Sequence, residues 1–188
     1  MNFVGIDVAG SKKGFHAATL YGDEPEIKHL LHAFTPAELC AQLQRLNITP
    51  TIIAIDCPPK CSRAGKTTRL AERQLHKIGY RVQWTRSCDK PPQEWMQNGE
   101  ALWNYLRNAY PAAELIETFP TVAGQHLGIS PVIMPLRIFE THAKRRDWKD
   151  LVDACICADV AARYARQQAR SVGESTDGTS DELGPIYY

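Results

Sequence analysis

The chain has 188 residues, 44% of them hydrophobic and 23% charged, a composition that excludes a disordered or fibrous protein and suits one domain better than two. Its 22 Lys and Arg residues against 21 Asp and Glu leave a formal charge of +1. Bulk electrostatics therefore give no attraction to nucleic acid, and any such site has to be a local basic patch. No apolar run reaches the ~18 residues of a bilayer-spanning helix. Met1-Asn2-Phe3 runs straight into a strand-like segment without a signal peptide, and the six cysteines form no paired C-x-x-C knuckles. These features predict a soluble, cytoplasmic chain with reduced thiols.

In chain order, residues 3–8 alternate apolar with small side chains and end at Ala9-Gly10-Ser11, a strand followed by a turn. Residues 14–20 form a second strand and 26–34 a third, and the short links predict an antiparallel meander. Thr35-Pro36 opens a helix, with Leu39, Leu43 and Leu46 on one stripe. The β-branched run 51–55 reads as a strand buried on both faces and stops at Asp56-Cys57-Pro58-Pro59. A basic loop over 60–68 leads into a helix ending near Lys77, capped by Thr67 or Thr68, and then a short strand at 81–84. Residues 94–108 form a helix with Trp95, Leu102, Trp103 and Leu106 on one side. Residues 114–119 are another buried strand, closed by Pro120. A helical stretch at 136–145 precedes a long helix from Trp148 to about Arg170. Residues 171–184, rich in Gly, Ser, Thr and acids, read as a loop before Pro-Ile-Tyr-Tyr. The sum over 1–188 is a single α/β domain: a mixed sheet, with an antiparallel three-stranded meander plus parallel strands, flanked by helices.

The acids fall in a pattern. Asp7 lies inside the first strand, Asp56 ends the fourth, and Glu117 lies late in the fifth, while Asp150 and Asp153 share a face of the last helix. Singly, each has a plain structural reading, such as a turn acceptor, a solvent-facing strand position or a first-turn helix acid. Together they bring carboxylates from four elements to one end of one sheet. Acids in such apolar strands repel one another unless paired or holding a hard cation, and Mg²⁺ or Mn²⁺ with oxygen ligands is the usual solution.

Val4-Gly5-Ile6-Asp7-Val8-Ala9-Gly10-Ser11-Lys12-Lys13-Gly14 resembles the opening strand–turn–strand of the ribonuclease-H-like superfamily. Lys149-Asp150-Leu151-Val152-Asp153-Ala154 resembles the acidic last helix of bacterial Holliday-junction resolvases, which belong to that superfamily. The ordered series of Ile55-Asp56-Cys57-Pro58, Arg69 and Arg73, Ile116-Glu117-Thr118-Phe119-Pro120, Val152-Asp153-Ala154 and Gly184-Pro185-Ile186-Tyr187 is similar to domain of unknown function 429. That family is regarded as predicted nucleases of ribonuclease H fold. The resemblance spans nearly the whole chain and implies the fold and a metal site, but no substrate. One departure is Cys57, which stands where a small residue is commoner; with Cys61 it is either packed and inert or faces the metal and is open to oxidation. The opening motif also resembles the phosphate loop of sugar kinases, actin and heat-shock ATPases, which need two such domains.

Lys60, Arg63, Lys66, Arg69 and Arg73 crowd one segment beyond Asp56. They form either a phosphate-binding patch or a solvated loop with ion pairs to Glu72 and others. Ala64-Gly65-Lys66-Thr67 lacks the first glycine of a P-loop and is rejected as one. His126 and His142 are the candidate proton shuttles. Trp84, Trp95, Trp103 and Trp148 are candidates for base stacking, with Trp95 and Trp103 more at home in the core. The acidic tail (Glu174, Asp177, Asp181, Glu182) either covers the site or moves freely.

The preferred reading is a metal-dependent nuclease or phosphodiesterase acting on nucleic acid, DNA or RNA, with Mg²⁺ or Mn²⁺. Asp7 bridges two ions ~4 Å apart, Asp56 and Glu117 complete one shell, and Asp153 completes the other with Asp150 as helper or substitute. Arg69 and Arg73 orient the phosphate, with Arg63 and Lys66 alongside. The alternative is a catalytically silent nucleic-acid or nucleotide-binding module of the same fold. A third reading, a small-molecule phosphotransferase, needs a second domain. Oligomeric state is left open.

Overall fold

Among the described residues, seven short segments of β-branched, aromatic and small residues pair into one sheet, and five helices cover it. The structure, a computed structural model, describes residues 1–22, 26–66, 68–128, 148–174 and 181–188. The strands are β1 (Asn2–Val8), β2 (Phe15–Tyr21), β3 (His29–Ala33), β4 (Ile52–Asp56), β5 (Glu114–Thr118), β6 (Ser171–Val172) and β7 (Ile186–Tyr187). The helices are α1 (Pro36–Arg45), α2 (Leu70–Lys77), α3 (Glu94–Ala109), α4 (Pro120–Leu127) and α5 (Trp148–Ala165).

The strand order is β3-β2-β1-β4-β5-β7-β6. β1, β2 and β3 run antiparallel as the expected meander, and β4, β5 and β7 continue parallel from β1. This is the mixed sheet, an antiparallel three-stranded meander plus parallel strands, that the sequence implied. β1 and β4 lie inside it, so both faces of each are buried and a polar–apolar alternation is lost.

The period of two still sorts the side chains. Phe3, Ala18, Leu20, Ile52 and Ala54 pack beneath α5, whereas Val4, Ile6, Ala17, Ile53 and Ile55 face Leu39 and Leu43 of α1 and Leu102 and Leu106 of α3. α5 lies close on the first face because Gly5 leaves room for it. A Cβ at Gly5 would fall 2.0 Å from Ala158 N and 2.2 Å from Ala154 O, both backbone atoms. Ala154, Ala158 and Ala161 supply the small surface on the helix side. No helix of the described residues is long and apolar enough to cross a membrane.

The structure departs from the expected elements at several points. Pro120 does close β5, but it also sits at the first position of α4, where its fixed φ and missing N–H cost nothing, and Gly128 ends that helix at φ 66°. α5 stops at Ala165 rather than near Arg170, and Gln167 turns away at φ 59°. Within the expected loop over 171–184, β6 joins the sheet edge beside β7. Residues 81–84 form no strand. α2 is not threonine-capped: Arg69 takes the cap position, and its backbone N–H donates to Glu72 Oε2 at 2.9 Å. The helix expected over 136–145, His142, Thr67 and Asp177 lie outside the described residues.

Candidate metal centre

Parallel pairing of β1 with β4 sets Asp7 directly beside Asp56, following Phe3 beside Ile52 and Gly5 beside Ala54. All six positions share the face beneath α5. The first turns of α5 cross the ends of these strands and bring Asp153 over the pair. One carboxylate oxygen from each of Asp7, Asp56 and Asp153 lies within 4.8 Å of the others. On the other side of β1, antiparallel pairing sets His16 of β2 opposite Asp7. Asp7, His16 and Asp150 form a second group of the same tightness, so Asp7 is common to both.

Asp7 and Asp153 are each 6% exposed, and Asp56 is half-buried. Burial, reinforced by the charges of Asp153 and Asp150, pushes the Asp7 carboxyl up to about 8, while Lys149 and Lys13 pull the other way. Burial and then Asp7 and Asp153 push Asp56 well above the ordinary carboxylate range. Asp153 is raised too, chiefly by burial. Two ammonium groups partly offset this repulsion: Lys149 pairs with Asp153, and Lys13 pairs with Asp150 at 2.5 Å.

Glu117, expected in the same shell, is placed elsewhere by register. β5 pairs Glu117 with Ile55 rather than with Asp56, so strand alternation turns it to the opposite face, that of Ile55 and Leu115. Its carboxylate accepts Arg69 Nη1 at 2.8 and 2.9 Å. Burial raises it to about 7 against the pull of Arg69. Arg69 is 1% exposed. Its Nε donates to Asp181 Oδ1 at 3.0 Å and its Nη2 to the Gly184 carbonyl at 3.2 Å. The guanidinium expected to orient phosphate is therefore engaged inside the protein, because a buried arginine must satisfy each of its donors.

The other basic residues are exposed. Arg63 and Lys66 both pair with Glu182, at 3.0 and 3.6 Å, and Arg73 donates to the Thr68 carbonyl at 3.0 Å. Glu72 makes no pair with them: it accepts the backbone N–H groups of Arg69 and Thr85. The C-terminal acids Asp181 and Glu182 thus fasten the tail onto the basic loop. His126 packs edge-on to Tyr188 and is not part of the cluster.

Cys57 is packed between helix and strand. Its Sγ lies where a Cβ on Gly99 would sit only 2.0 Å away, and burial pushes its thiol well above the ordinary range. Trp103 is 4% exposed and donates to the Cys57 carbonyl at 3.0 Å, a core position as expected. His16 is the residue sequence reading passed over. The signal was present: a tight turn after residue 8 pairs Asp7 with His16 once the hairpin register is written out. At the C-terminal ends of β1, β4 and β5 a cavity of about 340 Å³ opens, lined by Asp56, Glu117, Val82, Gln83, Trp95 and Phe119 among others.

No family model matches the chain, and no curated protein does. The resemblance to domain of unknown function 429 therefore gains no support there. Among solved structures, T. thermophilus RuvC in complex with Holliday junction substrate is similar, at 16% identity and a TM-score of 0.46, over 89% of this chain and 96% of that one. A likeness of that degree carries neither activity nor substrate across.

Proposed function

We propose that the chain is a metal-dependent nuclease or phosphodiesterase that hydrolyses a nucleic-acid phosphodiester bond in the cytoplasm. The observation that supports it is the meeting of Asp7, Asp56 and Asp153, from three separate elements, with oxygens within 4.8 Å of one another. Buried carboxylates that close hold one another's protons unless a cation screens them, and an oxygen-rich set suits Mg²⁺ or Mn²⁺. The donor set fits such an ion. Asp7, Asp56 and Asp153 would hold one, and Asp7 with His16 and Asp150 offers a second position. A divalent ion bound there would supply Lewis-acid chemistry, activating water near neutral pH and steadying the leaving oxygen.

The remaining roles belong to the chain. Lys149 and Lys13 hold Asp153 and Asp150 in place before an ion arrives. Arg73 on α2, with Arg63 and Lys66 of the loop once Glu182 yields them, offers phosphate contacts. Arg69 is a positioning residue that fixes Glu117 at the cavity.

Calorimetric titration with Mn²⁺ on wild type and Asp7→Asn, beside labelled DNA and RNA strands, tests this. Saturable binding and cleavage, both lost in the variant, are expected. A wild type that binds no Mn²⁺ refutes the proposal.

A second reading, a silent nucleic-acid-binding module, is favoured by one feature: the two lysines already supply positive charge to the cluster. Nucleic-acid binding that persists in chelator, without turnover in Mn²⁺ or Mg²⁺, is its signature.

A further inference from the structure

The cavity beside the acidic cluster is more than a metal site needs. At about 340 Å³ it falls at the small end of ligand sites, about 300–1,000 Å³. It accommodates one planar base with part of its sugar, but not two paired strands. Its walls are of two kinds. Asp56, shared with the cluster, Glu72 and Glu117 are its acidic lining, while Val82, Trp95, Phe119 and Ile186 are apolar. A bare phosphate would leave the apolar walls unused. A nucleotide matches both, with a cation between its phosphate and Asp56 and its base against Trp95 and Phe119.

The rim is held in place for such a ligand. Gln93 Oε1 accepts Trp95 Nε1 at 2.8 Å and Gln83 Nε2 at 3.1 Å, so one carboxamide fixes both the indole and the amide that line the opening. The next residue along, Trp84, is 39% exposed and stacked on His76 with ring centroids 4.2 Å apart and planes 18° from parallel. An exposed indole held flat beside an apolar cavity forms a stacking surface for a neighbouring base. Inside a duplex a base is already stacked and paired, and it enters such a pocket only after being extruded, at a cost least for single strands.

We infer that this cavity receives an unpaired nucleobase adjoining the bond to be cut, so that the substrate is a single strand or a frayed end rather than an intact duplex. The cutting rests on the metal-dependent reading above; the base site does not.

The two separate in one set of measurements. Adenosine and cytidine, which carry no phosphate, are titrated by calorimetry in chelator. Cleavage of a labelled strand, alone and annealed to its complement, is followed in Mn²⁺. Saturable binding of at least one nucleoside is expected, weakened about tenfold by Trp95→Ala, with the lone strand cut about tenfold faster than the paired one. Trp95 is half-buried, so Gln83→Ala at the exposed rim is the second variant, expected to weaken binding several-fold. Absence of nucleoside binding, wild-type binding in both variants, or equal cutting of both forms overturns the inference. Cutting without nucleoside binding leaves the metal reading standing and removes the base site. Nucleoside binding without Mn²⁺ binding does the reverse.

Discussion

Asp7→Asn removes the ionisable group at the centre of the acidic cluster and keeps the side chain's shape. In the folded chain this carboxyl is held at about 8, against 3.8 for a free aspartate, by burial and by the charges of Asp153 and Asp150. A group whose pKa is raised on folding stabilises the fold fully below its unfolded value, and that contribution is lost as pH rises through its folded value. The loss therefore begins near pH 4 and is complete near pH 8. At pH 7 the unfolded chain has released this proton while most folded molecules still hold it. The penalty spans about three pH units at ~1.4 kcal/mol each, or about 4 kcal/mol. Asparagine has no such proton to lose. The metal-free variant should thus be more stable than wild type at pH 7, by up to about 4 kcal/mol, or about 10 °C in Tm for a chain of this length. The gain should vanish near pH 4. Thermal melts of both proteins in chelator across this range, repeated in Mn²⁺, measure it. Mn²⁺ at a hundredfold over its Kd should add about 2.7 kcal/mol to wild type alone, narrowing the gap. A variant less stable than wild type at pH 7 in chelator, or an equal Mn²⁺ effect on both, would refute the reasoning.

Arg69→Met leaves Glu117 and Asp181 buried without their shared cation, and urea denaturation should show a loss of about 3–5 kcal/mol; a loss within experimental error would mean that the guanidinium does not hold them. Gly5→Ala places a methyl 2.0 Å from the α5 backbone, which must then shift and carry Asp153 with it. Stability should fall by about 3 kcal/mol or more and Mn²⁺ binding should weaken with it; an unchanged melt would show that α5 does not lie this close. Asp153→Asn should abolish Mn²⁺ binding as Asp7→Asn does, whereas Asp150→Asn should only weaken it, because of the two α5 acids it is Asp153 that joins Asp7 and Asp56. Calorimetry on the two variants gives the order, and the reverse order would move the principal ion to the His16 side.

Much of the scaffold is legible along the chain because its signals are local. The β-branched run before Asp56 and the apolar–small alternation before Asp7 mark β4 and β1, and Thr35-Pro36 marks the start of α1, where Thr35 Oγ1 accepts the Glu38 N–H at 3.1 Å. α4 has no local signal of its own, because proline ends a strand and begins a helix with the same φ, and the residues on either side do not say which. β6 and β7, two residues each, are too short to show any period; β7 exists because it pairs beside β5, and β6 because it pairs with β7.

The acids divide along the same line. That carboxylates in apolar strands need partners follows from residue type alone, and it singled out Asp7, Asp56, Glu117 and the pair on the last helix. Which of them meet is decided by register. Asp7 and Asp56 stand side by side beneath α5, while Glu117 pairs with Ile55, one residue out of step, and holds Arg69 instead. Arg69 and Asp181 are 112 residues apart, and no spacing in the sequence announces their ion pair. The sequence determined which groups are too costly to bury alone. Which of them neutralise one another, and which are left for a cation, follows from strand register and burial, which act on positions in space.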